Sequence, residues 1–430
     1  MSYLNPGQRL LLSAEYLLDI NPFEQYELLF KNLPSPTLNT ASRGRPPTSP
    51  EALLKSFIYK NLSGISSLSD LAVNLRNNPS LCLKSGFDPL RIPSIERFSS
   101  FLKDTPNFFF QKIRVRLVKE LISLEGISGK YLSIDSCSIP VRVKKNNLKT
   151  SVKNRFSKEK PPKADPEAGL GIMVHYPRPF KKEIKYFWGY KNHILCDAKV
   201  ELPVWEITKK ANVSDTTLLI PCLREAQKVF SLPVKAVIGD AAYDSEANLN
   251  HIIKELKAKP VIARNFRCSY HSDHRISSKG VPICMSGFDM IYWGRFKDRG
   301  RLRLKFVCPI THSKGFRKRI PICPWNHPKF TKGRGCYVYL RGDESIRESI
   351  DYGSSEFRKI YNLRTSSERI LSRLLSLCMQ NPTVRGFNAI ANHSTIAHIT
   401  VLLVALTAVK TGHQDRMRFV KNFLPKVLIL

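Results

Sequence analysis

The chain has 430 residues, more than one ordinary hydrophobic core organises, so the sequence predicts two or three domains. Lys and Arg total 69 against 35 Asp and Glu, which gives a formal charge of +34. Self-repulsion of this size disfavours compaction unless a polyanion is bound, so nucleic acid is the expected partner. A ribosome-associated or merely very soluble basic protein is the alternative. The sequence shows no basic amphipathic segment of the kind that binds a membrane surface, so a membrane-surface role is disfavoured.

The N-terminal stretch does not resemble a secretory signal, because it mixes charged and polar residues from Glu15 onward. Ten cysteines without such a signal favour a reducing compartment, and we expect a cytoplasmic, nucleoid-associated protein. The longest apolar run, residues 399–409, is too short to span a bilayer. It therefore predicts a buried helix near the C-terminus.

Residues 1–125 are predicted to form a helical region. Residues 50–62 place proline in a first helical turn, and residues 66–78 carry apolar side chains at helical spacing. Further helices are predicted over residues 92–104 and 107–124. Short helices with basic faces are typical of DNA-binding regions, and equally of any small helical domain.

Two arginines precede these helices. Arg43 and Arg45 flank a glycine in a segment that is followed by two prolines. Arginines in such an extended segment can lie in the narrow minor groove of A·T-rich DNA. They are therefore candidate DNA-binding residues, and a basic linker stiffened by proline is the competing interpretation.

Residues 126–264 are predicted to form the first part of an α/β domain. Strands are predicted at 131–139, 186–198, 202–210, 234–240 and 260–264, and helices at 215–230 and 245–258. The strand at 234–240 is apolar on both faces, which indicates a central parallel strand. The basic stretch at 142–185 predicts either a mobile loop that becomes ordered on a polyanion or a solvated loop.

Residues 265–350 are rich in β-forming residues and cysteines, which predicts a separate β-rich insertion. Four of these cysteines are candidate zinc ligands, namely Cys284, Cys308, Cys323 and Cys336. No CxxC pair is present, so buried free cysteines are the competing interpretation. Residues 351–430 are predicted to be helical and to complete the α/β domain.

Two acids are predicted to lie on neighbouring strands. Asp135 lies inside one strand, and Asp240 ends another. Taken singly, such an acid is usually a helix cap or turn residue. Two of them at one sheet edge would crowd negative charge unless a cation neutralises it. Asp244 is the chief rival of Asp240, and we expect Asp244 to cap the following helix instead.

A third acid lies on a predicted helical stripe with spacings of four and three residues. The members of the stripe are Phe357, Tyr361, Arg364, Glu368, Leu371, Leu375 and Cys378. Apolar ends predict that this face points inward, where an Arg364–Glu368 pair would have to be desolvated. On a surface the same pair is an ordinary i,i+4 interaction. We therefore predict that Glu368 joins Asp135 and Asp240 in a magnesium site, in which Mn²⁺ substitutes.

These residues carry a family resemblance. The matching stretches are IDS around Asp135, GYKNH at 189–193, ANVSDTTLL at 211–219, GDAAYDS around Asp240, and the helix with Tyr361, Arg364 and Glu368. Over most of its length the chain resembles bacterial insertion-sequence transposases of the DDE class. The resemblance implies a ribonuclease H-like mixed sheet with flanking helices, an N-terminal helical DNA-binding region and a β-rich insertion.

The resemblance also implies an activity. Such a protein binds the terminal inverted repeats of its element in double-stranded DNA, hydrolyses phosphodiesters there and transfers strands, using Asp135, Asp240 and Glu368 with divalent metal. A homodimer is expected in the DNA complex, and no membrane is implied. Lys191, Tyr361 and Arg364 are expected near the DNA.

One departure from the family pattern is Leu375, because the family helix often carries a lysine seven residues after the glutamate. Two alternative functions stay open. One is a transposase-derived DNA-binding protein that has lost catalysis. The other is a structure-specific nuclease.

Overall fold

The computed structural model describes residues 24–35, 48–142, 158–178, 181–265, 277, 281–298, 301–331, 335–341 and 346–420. The chain divides into two compact units. Unit 1 comprises Met1–Ala263 and Ser354–Leu430, and unit 2 comprises Arg264–Gly353. Arg43 and Arg45 lie outside the described residues. The same holds for the basic residues predicted in a loop between 143 and 157.

The described part of unit 1 begins with short helices, as predicted. They are α1 (Glu24–Lys31), α2 (Pro50–Leu62), α3 (Leu68–Asn77), α4 (Pro79–Ser85), α5 (Ile95–Asp104) and α6 (Asn107–Ser123). Serines start two of them: Ser49 Oγ accepts the N–H of Ala52 at 3.3 Å, and Ser67 Oγ accepts that of Asp70 at 2.9 Å. Each cap satisfies an N–H that the first helical turn leaves unpaired.

A six-stranded mixed sheet follows. Its strands are β1 (Tyr131–Pro140), β2 (Gly169–Arg178), β3 (Lys181–Asp197), β4 (Leu202–Lys210), β5 (Ala236–Gly239) and β6 (Lys259–Ile262). The order is β2-β3-β1-β5-β6, and β4 also pairs with β3. Strand β3 is antiparallel to β1, β2 and β4, whereas β5 is parallel to β1 and β6. All four residues of β5 are buried, which confirms the predicted central parallel strand.

The prediction of a loop over residues 142–185 is wrong in part, because β2 and the start of β3 lie there. The two strands pair from Gly169 opposite Gly189 onward. At Gly171 a Cβ would lie 2.4 Å from the Phe187 ring, so only glycine permits this approach. The two strands are consecutive in the chain, with Arg178 paired to Lys181 at the near end, and the local basic composition conceals them.

Helices cover the sheet. They are α7 (Leu219–Phe230), α8 (Glu246–Asn250), α12 (Ser355–Tyr361), α13 (Thr365–Ser376) and α14 (Phe387–Lys410). Before α7 lies the 3₁₀ turn Asp215–Leu218, and α8 continues as the π-helical turn His251–Glu255. The expected cap of α8 is corrected: Ser245 Oγ, not Asp244, accepts the N–H of Asn248, at 3.2 Å.

Helix α14 organises the core of unit 1, because it packs against α2, α5, α6 and β4. By length and composition it could cross a membrane, yet its apolar window is entirely buried inside the protein. This burial confirms the helix predicted from residues 399–409. The helix begins twelve residues earlier, where polar side chains interrupt the apolar run.

Buried polar bonds attach α14 to the sheet. Glu206 of β4 accepts hydrogen bonds from Thr395 Oγ1 at 2.7 Å and from Asn192 Nδ2 at 2.6 Å. Asn192 Oδ1 in turn contacts His398 Nε2 at 2.9 Å. Because buried polar groups cost stability when unpaired, these bonds fix the helix in one register on β3 and β4.

Unit 2 contains a three-stranded antiparallel sheet and short helices. They are β7 (Ile291–Asp298), β8 (Arg301–Val307), α9 (Pro309–His312), α10 (Lys314–Arg319), α11 (Pro328–Thr331) and β9 (Tyr337–Arg341). The strand order is β7-β8-β9. Its described residues bury two small apolar clusters, one around Phe306 and one around Ile310.

Candidate active site

The two predicted aspartates lie side by side at one end of β1 and β5. Parallel pairing sets Ser133 opposite Ile238, so two residues further along both strands Asp135 lies beside Asp240. Asp135 Oδ1 accepts the N–H of Ser136 at 2.7 Å, and Asp240 Oδ1 accepts the N–H of Ala242 at 2.9 Å. Asp240 thereby also caps the 3₁₀ turn that leads away from the sheet.

Both carboxyl groups lie where a negative charge is unfavourable. Burial raises the pKa of Asp135 to about 6, and the neighbouring Asp240 contributes to this rise. Burial also raises the pKa of Asp240, with a further contribution from the negative charge of Asp215. Two partly desolvated carboxylates that repel each other are an arrangement that a bound cation would stabilise.

Asp215 is a third acid at this place, and sequence reasoning did not select it. It accepts hydrogen bonds from Lys191 Nζ at 3.0 and 3.1 Å and from Ser136 Oγ at 3.3 Å. The ring of His193 also faces it, with Nδ1 3.6 Å from Oδ1. Burial lowers the pKa of His193 to about 4, so the ring is neutral at pH 7. The sequence signal that could have identified Asp215 is its place as the aspartate of the ANVSDTTLL stretch.

Lys191, a predicted DNA contact, is therefore held in an ion pair and has a side chain only 14% exposed. Both Lys191 and His193 project from β3 on the face opposite Asn192, which enters the buried bonds of α14. Strand β3 thus joins the Asp215 group to the core.

The predicted inward stripe of the Glu368 helix is wrong. A 3₁₀ turn, Asn362–Arg364, separates α12 from α13. Its tighter winding rotates the following residues away from an unbroken helical stripe. The buried residues of α13 are Ser366, Ser367, Ile370 and Leu374. The side chain of Glu368 is 52% exposed, and Leu375 is also exposed.

Glu368 pairs with Arg364, whose Nη1 lies 2.8 Å from its Oε1. The Arg364 charge also acts on Asp135 and Asp240, lowering the pKa of each against the larger effect of burial. Helix α13 reaches the aspartate pair directly through Ser367, whose Oγ donates to Asp135 Oδ2 at 3.3 Å. Glu368 is thus linked to the aspartates through Arg364.

Tyr361, another predicted DNA contact, is half-buried. Its ring stacks on Phe357 with 5.9 Å between centroids, and both rings pack on a cluster that includes Ile238. The Arg364 guanidinium lies 5.9 Å from the Tyr361 ring centre. Tyr361 therefore supports the position of Arg364.

Glu201 anchors the Glu368 helix, a role that sequence reasoning missed. It lies in the β3–β4 turn with a side chain only 4% exposed, and its carboxylate pairs with Arg369 at 2.6 Å and with Arg373. Arg418 approaches it at 3.4 Å. Two of these arginines, Arg369 and Arg373, lie on α13, so the buried carboxylate fixes the helix that carries Glu368.

The residues fit a divalent cation in part. Mg²⁺ takes one or two carboxylates and completes its shell with water and phosphate oxygens, which suits the Asp135–Asp240 pair. Across the described ranges of the chain, no group of three or more His, Cys, Asp or Glu side chains is arranged to hold a metal ion. Glu368 is turned to Arg364, so the predicted three-carboxylate set is not assembled here.

Comparison with known proteins identifies the family. Residues 134–403 match the family described as "Transposase DDE domain", and residues 3–104 match a transposase domain family, DUF772. The first match covers more than half of the chain. The chain therefore belongs to the DDE transposase family, and its mixed sheet is ribonuclease H-like, as the resemblance implied.

Curated proteins give no match. Among solved structures, the chain is similar to a piggyBac transposase synaptic complex with hairpin DNA determined by cryo-EM. The identity is 14%, and the alignment covers 95% of this chain and 82% of that chain with a TM-score of 0.36. A score this low supports no argument about site or partner.

Proposed function

We propose that the chain is a divalent-metal-dependent transposase that acts on double-stranded DNA. In this proposal it binds the terminal inverted repeats of its element, hydrolyses phosphodiesters there and joins the freed 3′-hydroxyl to target DNA. Family membership supports transposition. The juxtaposition of Asp135 and Asp240 at one sheet edge is the observation that carries metal-dependent catalysis.

Asp135 and Asp240 would hold the metal, Mg²⁺ or Mn²⁺. When bound, the ion would activate a water or 3′-hydroxyl and stabilise the leaving oxygen of an in-line displacement. Arg364 would bind a DNA phosphate, because its guanidinium exchanges one anionic partner for another. Glu368, released from Arg364 in that exchange, would turn toward the aspartates and complete the catalytic set.

Charge supports DNA as the substrate. In addition to the net charge of +34, exposed basic residues lie along helices α5 and α6. They are Arg97, Lys103, Lys112, Arg116 and Lys119. We propose that these residues, with Arg43 and Arg45, contact phosphates, so binding should weaken steeply with salt. For Lys191 the Asp215 ion pair favours a role in ordering the site. A homodimer is proposed in the DNA complex, since two element ends must be held together.

One observation favours a second function. The exposed Glu368 and its pairing with Arg364 would also suit a transposase-derived DNA-binding protein without catalysis. Such a protein would bind element ends as tightly and leave them uncut. A structure-specific nuclease would cut and fail to join the ends to a target.

The test is a cleavage and strand-transfer assay on a labelled duplex that carries the element's own end, found as inverted repeats flanking the gene. Wild type is compared with Asp240→Asn in Mg²⁺, Mn²⁺ or EDTA. Asp244→Asn is the matched control, because it removes an acid four residues away. We expect metal-dependent cutting by wild type and Asp244→Asn, and a loss of about 10³-fold or more in Asp240→Asn.

Tight binding without cutting by wild type in either metal would establish the DNA-binding derivative. Cutting that survives in Asp240→Asn and disappears in Asp244→Asn would overturn the assignment of Asp240. Circular dichroism spectra of both variants show whether a loss of cutting reflects a loss of fold.

A further inference from the structure

Four cysteines of unit 2 meet around one cavity. Cys284, Cys308, Cys323 and Cys336 all line it, although they come from distant parts of the unit. Ser286 Oγ, two residues after Cys284, lies 3.5 Å from the sulfur of Cys323. All four are free of disulfide bonds. Thiols brought together without being oxidised to each other suggest a shared ligand.

Cys284 opens a tight turn. The N–H of Gly287 donates to the Cys284 carbonyl at 2.8 Å, and Gly287 has a φ of +81° that favours glycine. The N–H of Cys284 donates to the carbonyl of Phe288 at 2.9 Å and closes the turn. The turn therefore holds Cys284 in a fixed position beside the cavity.

Cys323 opens a second turn of the same design. The N–H of Asn326 donates to the Cys323 carbonyl at 2.9 Å, and Asn326 has a φ of +48°. Asparagine is among the few residues other than glycine that adopt this conformation readily. Two unrelated stretches therefore place a cysteine at the start of a tight turn in the same way.

The other two cysteines are held together by the sheet. The N–H of Cys308, just after β8, donates to the carbonyl of Cys336, just before β9, at 2.9 Å. A Cβ at Gly335 would lie 2.9 Å from the Cβ of Cys308, so glycine is required for this approach. This backbone hydrogen bond and the close approach at Gly335 bring Cys308 and Cys336 together without a covalent bond.

We propose that these four cysteines bind one structural Zn²⁺ ion in unit 2. Four thiolates around one ion form the tetrahedral sulfur set that zinc prefers, with Zn–S distances of about 2.3 Å. Each thiol would lose its proton on binding the metal. The four described side chains are not arranged in a metal-binding group without the ion, so binding would draw the sulfurs together.

His312, which is near these cysteines in the chain, does not line their cavity. His312 Nδ1 is bonded to Thr311 Oγ1 at 2.7 Å and contacts the carbonyl of Cys308 at 3.3 Å. The basic helix α10, with Arg317, Lys318 and Arg319 in its last turn, would offset the negative charge of a zinc bound by four thiolates.

The test measures zinc in the purified full-length chain by elemental analysis, and its readout is independent of DNA cleavage. We expect about one zinc per chain in wild type and a loss of most of it in Cys308→Ser and Cys323→Ser. Cys378→Ser, a half-buried cysteine of unit 1, is the matched control and should keep its zinc.

A second measurement covers variants that fail to fold. Chelated wild type is titrated with Zn²⁺ and with Co²⁺, whose thiolate charge-transfer bands report sulfur ligands directly. Saturation at about one ion per chain with these bands supports the proposal. It is overturned if no ion binds, if both variants keep full zinc, or if mass spectrometry shows a Cys284–Cys336 disulfide.

Discussion

The two units of this transposase reach stability by different routes. Unit 1 is built around α14, in which residues 389–408 are all buried between the N-terminal helices and the sheet. The described part of unit 2 buries two clusters of three residues each. Cores this small contribute little apolar burial, and small units are usually stabilised by a cross-link or a metal. Unit 1 therefore depends on packing, whereas unit 2 would depend on the proposed zinc.

The proposed ion sites differ in the same way. The sheet edge of unit 1 presents partly buried carboxylates, which are hard oxygen ligands suited to Mg²⁺. Unit 2 presents thiols, which are soft ligands suited to zinc. One chain can thus hold two kinds of ion without exchanging them, one for chemistry and one for folding.

The largest expected effect is on unit 2. Removing zinc with a strong chelator should unfold it, because structural zinc contributes on the order of 10 kcal/mol to such units. Limited proteolysis followed by mass spectrometry should find new cuts between residues 264 and 353, with unit 1 still resistant. Restored resistance after zinc is added back is the control. Unit 1 becoming sensitive first would contradict the comparison.

The next effect concerns unit 1 alone. Glu201→Ala would leave Arg369 and Arg373 without their buried partner, at a cost of about 3–5 kcal/mol in the free energy of unfolding. Thermal unfolding should show this loss while the zinc content of unit 2 stays constant. Glu356→Ala is the matched control, because that carboxylate pairs with Lys259 at 2.6 Å and both side chains are exposed. Equal loss in both variants would refute the anchoring role.

A gain in stability is expected from Asp135→Asn without divalent metal. The carboxyl group has a pKa of about 6 in the fold against 3.8 as its ordinary value. The contribution of this carboxyl group to the free energy of unfolding is therefore fully present below pH 3.8. It is lost as the pH rises through 6. The substitution should raise stability at pH 8 by on the order of 2–3 kcal/mol and have little effect at pH 4. Equal effects at both pH values would contradict the assigned pKa.

The smallest effect is expected from Ser367→Ala. Its hydroxyl is shared between the Arg364 carbonyl, at 2.8 Å, and Asp135, at 3.3 Å, where it favours the ionised carboxyl. Without it the pKa of Asp135 should rise further, and the acid limb of metal-dependent cleavage should move to higher pH by a few tenths of a unit. Ser376→Ala, on the same helix and bonded only to a carbonyl there, is the control. An unmoved acid limb would exclude a role for Ser367.

Local patterns in the sequence were sufficient for much of unit 1. An apolar run ending in an acid predicted both β5 and the place of Asp240, and the SIDSC stretch did the same for Asp135. Parallel strands carry their ends to the same edge, so the proximity of the two acids also followed.

The failures involve strands that a basic composition conceals, contacts between residues distant in sequence, or a change of helical winding. Strand β2 was missed because its pairing with β3 outweighs its local composition. The stripe through Glu368 was misjudged because the 3₁₀ turn at 362–364 is invisible in an apolar pattern of period 3.6. Glu201 was missed because the arginines it binds are more than 160 residues away.

The position of α14 has a consequence for synthesis on the ribosome. The helix that completes the core is translated after nearly all of its partners, including α2, which lies more than 300 residues earlier. Until residues 387–410 emerge from the exit tunnel, the inner faces of the earlier helices stay uncovered and prone to aggregation. A premature stop codon anywhere before residue 387 would therefore yield a product that chaperones and proteases must clear.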